Sequence, residues 1–137
     1  MPGDLVRLST GGHQPAQKGR VWSTAAGPST ARPVEWLIDT GSPECAIPQS
    51  IANQFALTVV AGAPRAQGVG GGVVLQYKGL TIEFTIEDAT GAAKTITKAV
   101  TVRVGSTNAL LGMHELAAAK AVISWDAFNG TGKLTGP

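Results

Sequence analysis

The chain has 137 residues, of which 43% are hydrophobic and 15% are charged. These values suit one domain with a single core and exclude an intrinsically disordered protein. Eleven basic and nine acidic residues are scattered along the chain and leave a net charge of +2, a pattern that does not indicate a nucleic-acid or membrane-surface protein. The single cysteine, Cys45, excludes an internal disulfide framework, and no apolar run approaches the roughly 20 residues of a membrane helix.

The first forty residues contain turn-rich segments and two strand signals. Residues 9–19 are polar and turn-forming, which predicts a loop or a mobile arm. Residues 21–24 predict a short strand. Residues 34–38 are apolar apart from one glutamate and predict a second strand, which delivers Asp39 at its end.

A short helix and a glycine-rich hairpin are expected next. Residues 45–47 form an apolar segment, and Pro48 suits the first position of a helix, so residues 49–55 are predicted to make one or two helical turns. Residues 66–77 place a glycine-rich tip before a β-branched run. This order favours a mobile β-hairpin and not a phosphate-binding loop, which would lead into a helix.

The second half of the chain has the clearest strand pattern. Apolar residues alternate with Thr and Glu, and the apolar face consists of Leu80, Ile82, Phe84 and Ile86. Residues 95–104 alternate again and should pair with this strand. An apolar stretch at 109–112, a helix over 113–121 and a strand over 122–125 follow. Together these elements predict a mainly β, barrel-like fold with one late helix.

One apolar strand ends in a carboxylate, in the sequence Leu-Ile-Asp-Thr-Gly-Ser at residues 37–42. An ionised aspartate beside apolar neighbours is costly unless other groups compensate for its burial. Asp39 therefore either forms a turn or takes part in chemistry. His13 and His114 are too few and too far apart in the sequence for a metal site, and Cys45 is expected to be a buried packing residue.

Three motifs occur together in one order. They are the Leu-Ile-Asp-Thr-Gly-Ser segment at 37–42, the glycine-rich tip at 68–72, and Leu110-Leu111-Gly112 followed by a predicted helix. In this order and spacing, over roughly residues 34–126, the chain resembles the retropepsin-type aspartic proteases of retroviruses and retroelements. The resemblance implies a mainly β acid-protease barrel with a single lobe and one short C-terminal helix. We expect an N-terminal arm or linker over residues 1–30, the protease domain over 31–128 and a tail over 129–137.

The resemblance also implies a reaction and its residues. Two carboxylates that share one proton activate a water molecule, and a chain with one Asp-Thr-Gly must supply them as a homodimer. The expected catalytic residues are Asp39, Thr40 and Gly41. The expected substrate-binding residues are Leu37, Ser42, Gln67, Gly68, Val69, Gly70 and Leu110. The expected partners are a second copy and a peptide or polyprotein substrate, with no cofactor, metal, nucleic acid or membrane.

Individual roles follow from the same resemblance. The Thr40 hydroxyl should reach across the dimer axis, the Gly41 N–H should bind the carboxylate, and Ser42 should bind its outer oxygen. Met113 stands where retroviral enzymes carry an arginine, so Glu44 is expected to lack its usual arginine partner.

Two alternatives to polyprotein processing stay open. One is a cellular or bacterial protease of the same fold with a narrow substrate, and the other is a catalytically silent dimerisation or peptide-binding module. The N-terminus has no hydrophobic signal core, so the expected location is the cytoplasm or a viral or retroelement particle.

Overall fold

β-Strands dominate the part of the chain that this computed structural model describes, which is residues 1–60, 66–67 and 73–137. The strands are β1 (Asp4–Arg7), β2 (Pro15–Ser23), β3 (Arg32–Asp39), β4 (Cys45–Ile47), β5 (Thr58–Val59), β6 (Ala66–Gln67), β7 (Val73–Val74), β8 (Gln76–Glu87), β9 (Ala93–Val104), β10 (Ala109–Gly112), β11 (Val122–Asp126) and β12 (Thr131–Thr135). The helices are α1 (Gln49–Ala52) and α2 (Met113–Ala118). Neither helix in the described ranges has the length and apolar composition needed to cross a bilayer.

Six strands close into a barrel. Strands β2, β3, β10, β4, β9 and β8 are hydrogen-bonded in that order, and β8 pairs back with β2. Two of these neighbours are parallel, β3 with β10 and β4 with β9. Strands β1, β12 and β11 extend the sheet from β2. Closure removes the unpaired strand edges of the barrel, and the predicted mainly β barrel with a single lobe is confirmed.

The alternating face of β8 fills the barrel, as predicted. Leu80, Ile82, Phe84 and Ile86 are each at most 1% exposed. The predicted partner strand is also confirmed, since β9 pairs antiparallel with β8 over ten register positions. Strand β3 adds Trp36, which is fully buried and whose indole N–H donates to the Glu83 carbonyl oxygen at 3.1 Å. The strand that carries Asp39 is therefore fixed by its inward face.

The loop or mobile arm predicted for residues 9–19 is wrong for its second half. Pro15–Ser23 form the nine-residue strand β2, which also contains the short strand predicted at 21–24. Gln17 is buried, and its amide both donates to the Thr85 carbonyl oxygen and accepts from the Thr85 N–H, each at 2.8 Å. The polar residues of this segment are held by strands distant in sequence, which a local pattern does not reveal.

The C-terminal segment is also more regular than its turn-rich composition predicts. Thr131–Thr135 form β12, whose Leu134 is fully buried. Strand β12 lies between β11 and β1, so the two ends of the chain pair with each other. Helix α2 ends before residue 121 because Lys120 adopts a left-handed conformation with φ of 53°, and the Ala121 N–H closes the helix end on the Leu116 carbonyl oxygen at 2.9 Å.

Candidate active site

Asp39 is the last residue of β3 and is half-buried. Val34, Trp36 and Ile38 point into the core, so the alternation of a strand places Leu37 and Asp39 on the opposite face. The buried apolar side chains therefore fix β3 in the core, and the Asp39 carboxylate lies at the end of this fixed strand.

A tight turn surrounds the Asp39 carboxylate. The Gly41 N–H donates to Asp39 Oδ1 at 3.0 Å, which is the hydrogen bond expected from the sequence. The Ser42 N–H donates to the Asp39 carbonyl oxygen at 3.2 Å and closes the turn. A Cβ on Gly41 would lie 3.3 Å from Oδ1, so a glycine lets the backbone donor approach the carboxylate without crowding.

Strand β10 and helix α2 support this turn. Gly112 is the register partner of Asp39 on the parallel strand β10. Beyond it, the Met113 N–H donates to the Ser42 carbonyl oxygen at 2.8 Å, and the His114 N–H donates to the Pro43 carbonyl oxygen at 2.9 Å. The start of α2 therefore holds residues 39–44, named the catalytic turn after the role proposed for it, through two backbone hydrogen bonds.

The Ser42 hydroxyl has different partners from those predicted. It was expected on the outer oxygen of Asp39, but it donates to the Glu44 carbonyl oxygen at 2.8 Å. It also accepts a hydrogen bond from Arg103 Nη2 at 2.6 Å. The physical reason is that Ser42 is only 5% exposed, so its hydroxyl needs protein partners, and Arg103 on β9 lies within hydrogen-bond distance of it.

Glu44 has an arginine partner from an unexpected element. Arg103 Nε on β9 lies 3.7 Å from Glu44 Oε2, and the Gln76 side-chain amide donates to the other oxygen of Glu44. Met113, at the position of the retroviral arginine, is 38% exposed. Arg103 and Gln76 were missed by the sequence reasoning, because only the long-range register of β9 with β8 and β4 brings them to the turn.

Four of the remaining predicted site residues lie in the described part of the chain, and three lie outside it. Leu37 and Leu110 are register partners on β3 and β10 and are both half-buried, so they lie side by side next to Asp39. Thr40 is exposed at the tip of the turn. Gln67 belongs to β6, which pairs antiparallel with β7 as the predicted hairpin requires. The three predicted tip residues, Gly68, Val69 and Gly70, lie outside the described residues.

Cys45 is buried next to the site and is a packing residue, as predicted. It is 1% exposed and carries a free thiol. Burial raises the pKa of this thiol to about 11, and the nearby carboxylates of Glu115 and Glu44 act in the same direction. A thiol with so high a pKa is a poor nucleophile at neutral pH.

The described ranges contain no cluster of three or more histidine, cysteine or carboxylate side chains suited to a metal ion. His13 and His114 are both exposed.

Comparison with known proteins finds a likeness in structure alone. No protein-family model matches the chain, and no curated protein matches it. The crystal structure of a retropepsin-like aspartic protease from Rickettsia conorii matches with a TM-score of 0.55 and 15% sequence identity, over 98% of this chain and 90% of that chain. The chain therefore has the fold of the retropepsin-like aspartic proteases, mainly β and with a single lobe.

Proposed function

We propose that the protein is an aspartic endopeptidase that acts as a homodimer. The observation that carries this proposal is the setting of Asp39, at the end of a buried strand, with the Gly41 N–H on its Oδ1 and Gly112 beside it in register. A carboxylate held by a backbone donor at the surface of a rigid barrel is suited to catalysis. The fold shared with a retropepsin-like aspartic protease supports the same conclusion.

One catalytic aspartate per chain requires a second copy. The chain has four aspartates, and only Asp39 is followed by Thr-Gly. Asp88 and Asp126 hold surface turns, in which hydrogen bonds from Thr90 and Asn129, respectively, lower the pKa of each carboxyl. Two Asp39 side chains that meet at a two-fold axis would form the required dyad.

The reaction follows from two carboxylates that share one proton. The ionised carboxylate removes a proton from a water molecule as its oxygen attacks the scissile carbonyl carbon, and the protonated carboxylate donates a hydrogen bond to the carbonyl oxygen. A tetrahedral intermediate forms without a covalent bond to the enzyme. The leaving amine then takes a proton from the dyad as the C–N bond breaks. The Gly41 N–H keeps each Asp39 side chain in one orientation throughout.

The substrate is proposed to be an extended peptide. Leu37 and Leu110 form an apolar surface beside Asp39 that suits an aliphatic or aromatic side chain. An extended peptide pairs with backbone groups and presents alternate side chains to pockets. The β6–β7 hairpin, with Gln67, Gly68, Val69 and Gly70, is proposed to cover it. Ser42 is proposed to support the turn through its hydrogen bonds with the Glu44 carbonyl oxygen and Arg103.

The first test compares Asp39→Asn with the wild type. Peptidase activity on a library of peptides and molecular mass by sedimentation are measured together, and Asp88→Asn serves as a matched control on a surface turn. We expect Asp39→Asn to lose activity by at least about a thousandfold, because both carboxylates of the dyad, the ionised base and the proton donor, are replaced in a homodimer. Asp88→Asn should keep it. Dilution below the dimer dissociation constant should lower the specific activity of the wild type.

Two outcomes separate the alternatives. No peptidase activity in the wild type would leave a silent dimerisation or peptide-binding module, and full activity in Asp39→Asn would exclude Asp39 as the catalytic residue. A cellular or bacterial protease with a narrow substrate is favoured by one observation, since the matching structure comes from a bacterium and aligns with 98% of this chain. A reverse transcriptase sequence in the same reading frame would instead support polyprotein processing.

A further inference from the structure

We propose that Arg103 is a positioning residue, which holds the catalytic turn through Ser42 and Glu44 and is required for turnover. This inference rests on the proposed peptidase function. It assigns a role to a cation from β9 that lies outside the Asp-Thr-Gly and Leu-Leu-Gly motifs. The role is to fix where the Asp39 carboxylate points, without contact between Arg103 and the substrate.

The first step is the contact with Ser42. Arg103 Nη2 donates to Ser42 Oγ at 2.6 Å, and the same hydroxyl donates to the Glu44 carbonyl oxygen at 2.8 Å. The single proton of the hydroxyl is therefore directed away from the arginine. Hydrogen bonds with a charged donor are stronger than those between neutral groups, and Ser42 is only 5% exposed. This pair fixes the middle of the catalytic turn.

The second step is the contact with Glu44. Arg103 Nε lies 3.7 Å from Glu44 Oε2, and the two side chains are 21% and 31% exposed. The Gln76 amide donates to Glu44 Oε1, so one carboxylate oxygen is hydrogen-bonded, and the other faces Arg103 at ion-pair distance without a hydrogen bond. Ion pairs with this degree of burial are screened less than exposed pairs. The end of the turn is thus fixed as well as its middle.

The third step is the rigidity of the arginine's own backbone. Arg103 pairs with Ala46 on the parallel strand β4 and with Gln76 on the antiparallel strand β8. On the other side, Met113 and His114 hold the turn with their N–H groups. The catalytic turn is therefore clamped between β9 and α2. Loss of one side would let the Asp39 carboxylate move, and a displacement of about 1 Å can cost roughly a hundredfold in rate.

The test uses Arg103→Met, Arg103→Lys and a matched control, Arg20→Met. Arg20 also donates to a glutamate, Glu83 on β8, but its register partner on β3 is Pro33. That position is six residues before Asp39, or about 20 Å along a strand. Both methionine variants remove one arginine–glutamate pair, so a general effect of losing such a pair should appear in each of them.

We expect Arg103→Met to lower kcat by at least about tenfold with KM changed less than about threefold, because positioning affects the transition state more than ground-state binding. Arg103→Lys should restore part of kcat, since it keeps the charge and loses the forked geometry. Arg20→Met should keep kcat within about twofold. If Arg103→Met does not fold, the same comparison is made between Arg103→Lys and Arg20→Lys, with kcat expected to fall by at least about threefold for Arg103→Lys alone.

Amide hydrogen exchange gives a second readout that does not depend on activity. The Met113 and His114 amides, which donate to the turn, should exchange at least about tenfold faster in Arg103→Met and at the wild-type rate in Arg20→Met. Unchanged kcat in Arg103→Met overturns the inference, whether exchange changes or not. Equal kcat losses in Arg103→Met and Arg20→Met overturn it too. Activity retained by Asp39→Asn would instead refute the proposed function. The exchange rates would still show whether Arg103 holds the catalytic turn in place.

Discussion

Gly112 lies beside Asp39 in register and touches the backbone of Glu44 so closely that no side chain fits. A Cβ on Gly112 would lie 2.4 Å from the Glu44 carbonyl oxygen and 2.9 Å from the Glu44 nitrogen. The backbone of Gly112 has φ of −85° and ψ of 170°, which any residue can adopt. The glycine is therefore required by the close approach of the catalytic turn and not by its own conformation.

Substitution of Gly112 by alanine should displace the catalytic turn. We expect Gly112→Ala to lower the free energy of unfolding by about 1–3 kcal/mol, the usual cost of overpacking. It should also lower kcat, because the displaced turn carries Asp39. Urea unfolding and peptidase assays measure the two effects. Gly105→Ala is the control, since Gly105 has φ of +111° and nothing within 4 Å of a Cβ. It should cost about 1–3 kcal/mol of backbone strain and leave kcat unchanged. Wild-type kcat in Gly112→Ala would contradict the close-contact argument.

The amide of Gln17 replaces a missing pair of strand hydrogen bonds between β2 and β8. Gln17 is buried, and its two bonds to the backbone of Thr85 are partly buried. Gln17→Leu should leave a half-buried N–H and a half-buried carbonyl without protein partners, at about 1 kcal/mol for each group. Urea unfolding should therefore show a lower midpoint with an unchanged slope.

A second glutamine provides the comparison for this prediction. Gln49 is exposed and donates to Asn53, the residue that follows helix α1. Gln49→Ala should change the free energy of unfolding by less than about 0.5 kcal/mol. A Gln17→Leu protein as stable as Gln49→Ala would show that water satisfies the two backbone groups of Thr85.

Local sequence patterns were sufficient to predict the structure next to the Asp39 carboxylate. The apolar run before Asp39 predicted the end of β3, and the family resemblance, together with the small size of Gly41, predicted the N–H bond to Oδ1. The alternation along β8 predicted its buried face. Each of these features depends on residues within a few positions of one another. The spacing of the apolar residues and the size of the side chains are therefore enough to predict them.

Contacts between distant strands could not be predicted in the same way. Arg103 reaches Ser42 across 61 positions, and Gln17 reaches Thr85 across 68. Polar residues in these places look like ordinary surface or loop residues until the register of the sheet is known. The same reason explains why β12 was expected to be a tail, since β1 and β11 pair with it from both sides.

Cys45 should make the stability of the protein fall at alkaline pH. Burial raises the pKa of its thiol from 9.0 to about 11 in the folded state. Between these pH values the thiol of an unfolded chain has lost its proton while the folded chain retains it, so rising pH favours the unfolded state. A shift of about two units corresponds to roughly 3 kcal/mol. The loss should begin near pH 9 and be complete near pH 11.

Cys45→Ala isolates this effect, because the two proteins differ in no other ionisable group. The alanine leaves a small cavity at a fully buried site beside Gly112, which should cost about 1–2 kcal/mol at every pH. The advantage of the wild type over Cys45→Ala, measured by urea unfolding, should therefore shrink as pH rises above 9 and then reverse in sign. A constant difference from pH 7 to pH 11 would mean that the thiolate is solvated in the folded protein, and that Cys45 is open to water and to thiol reagents.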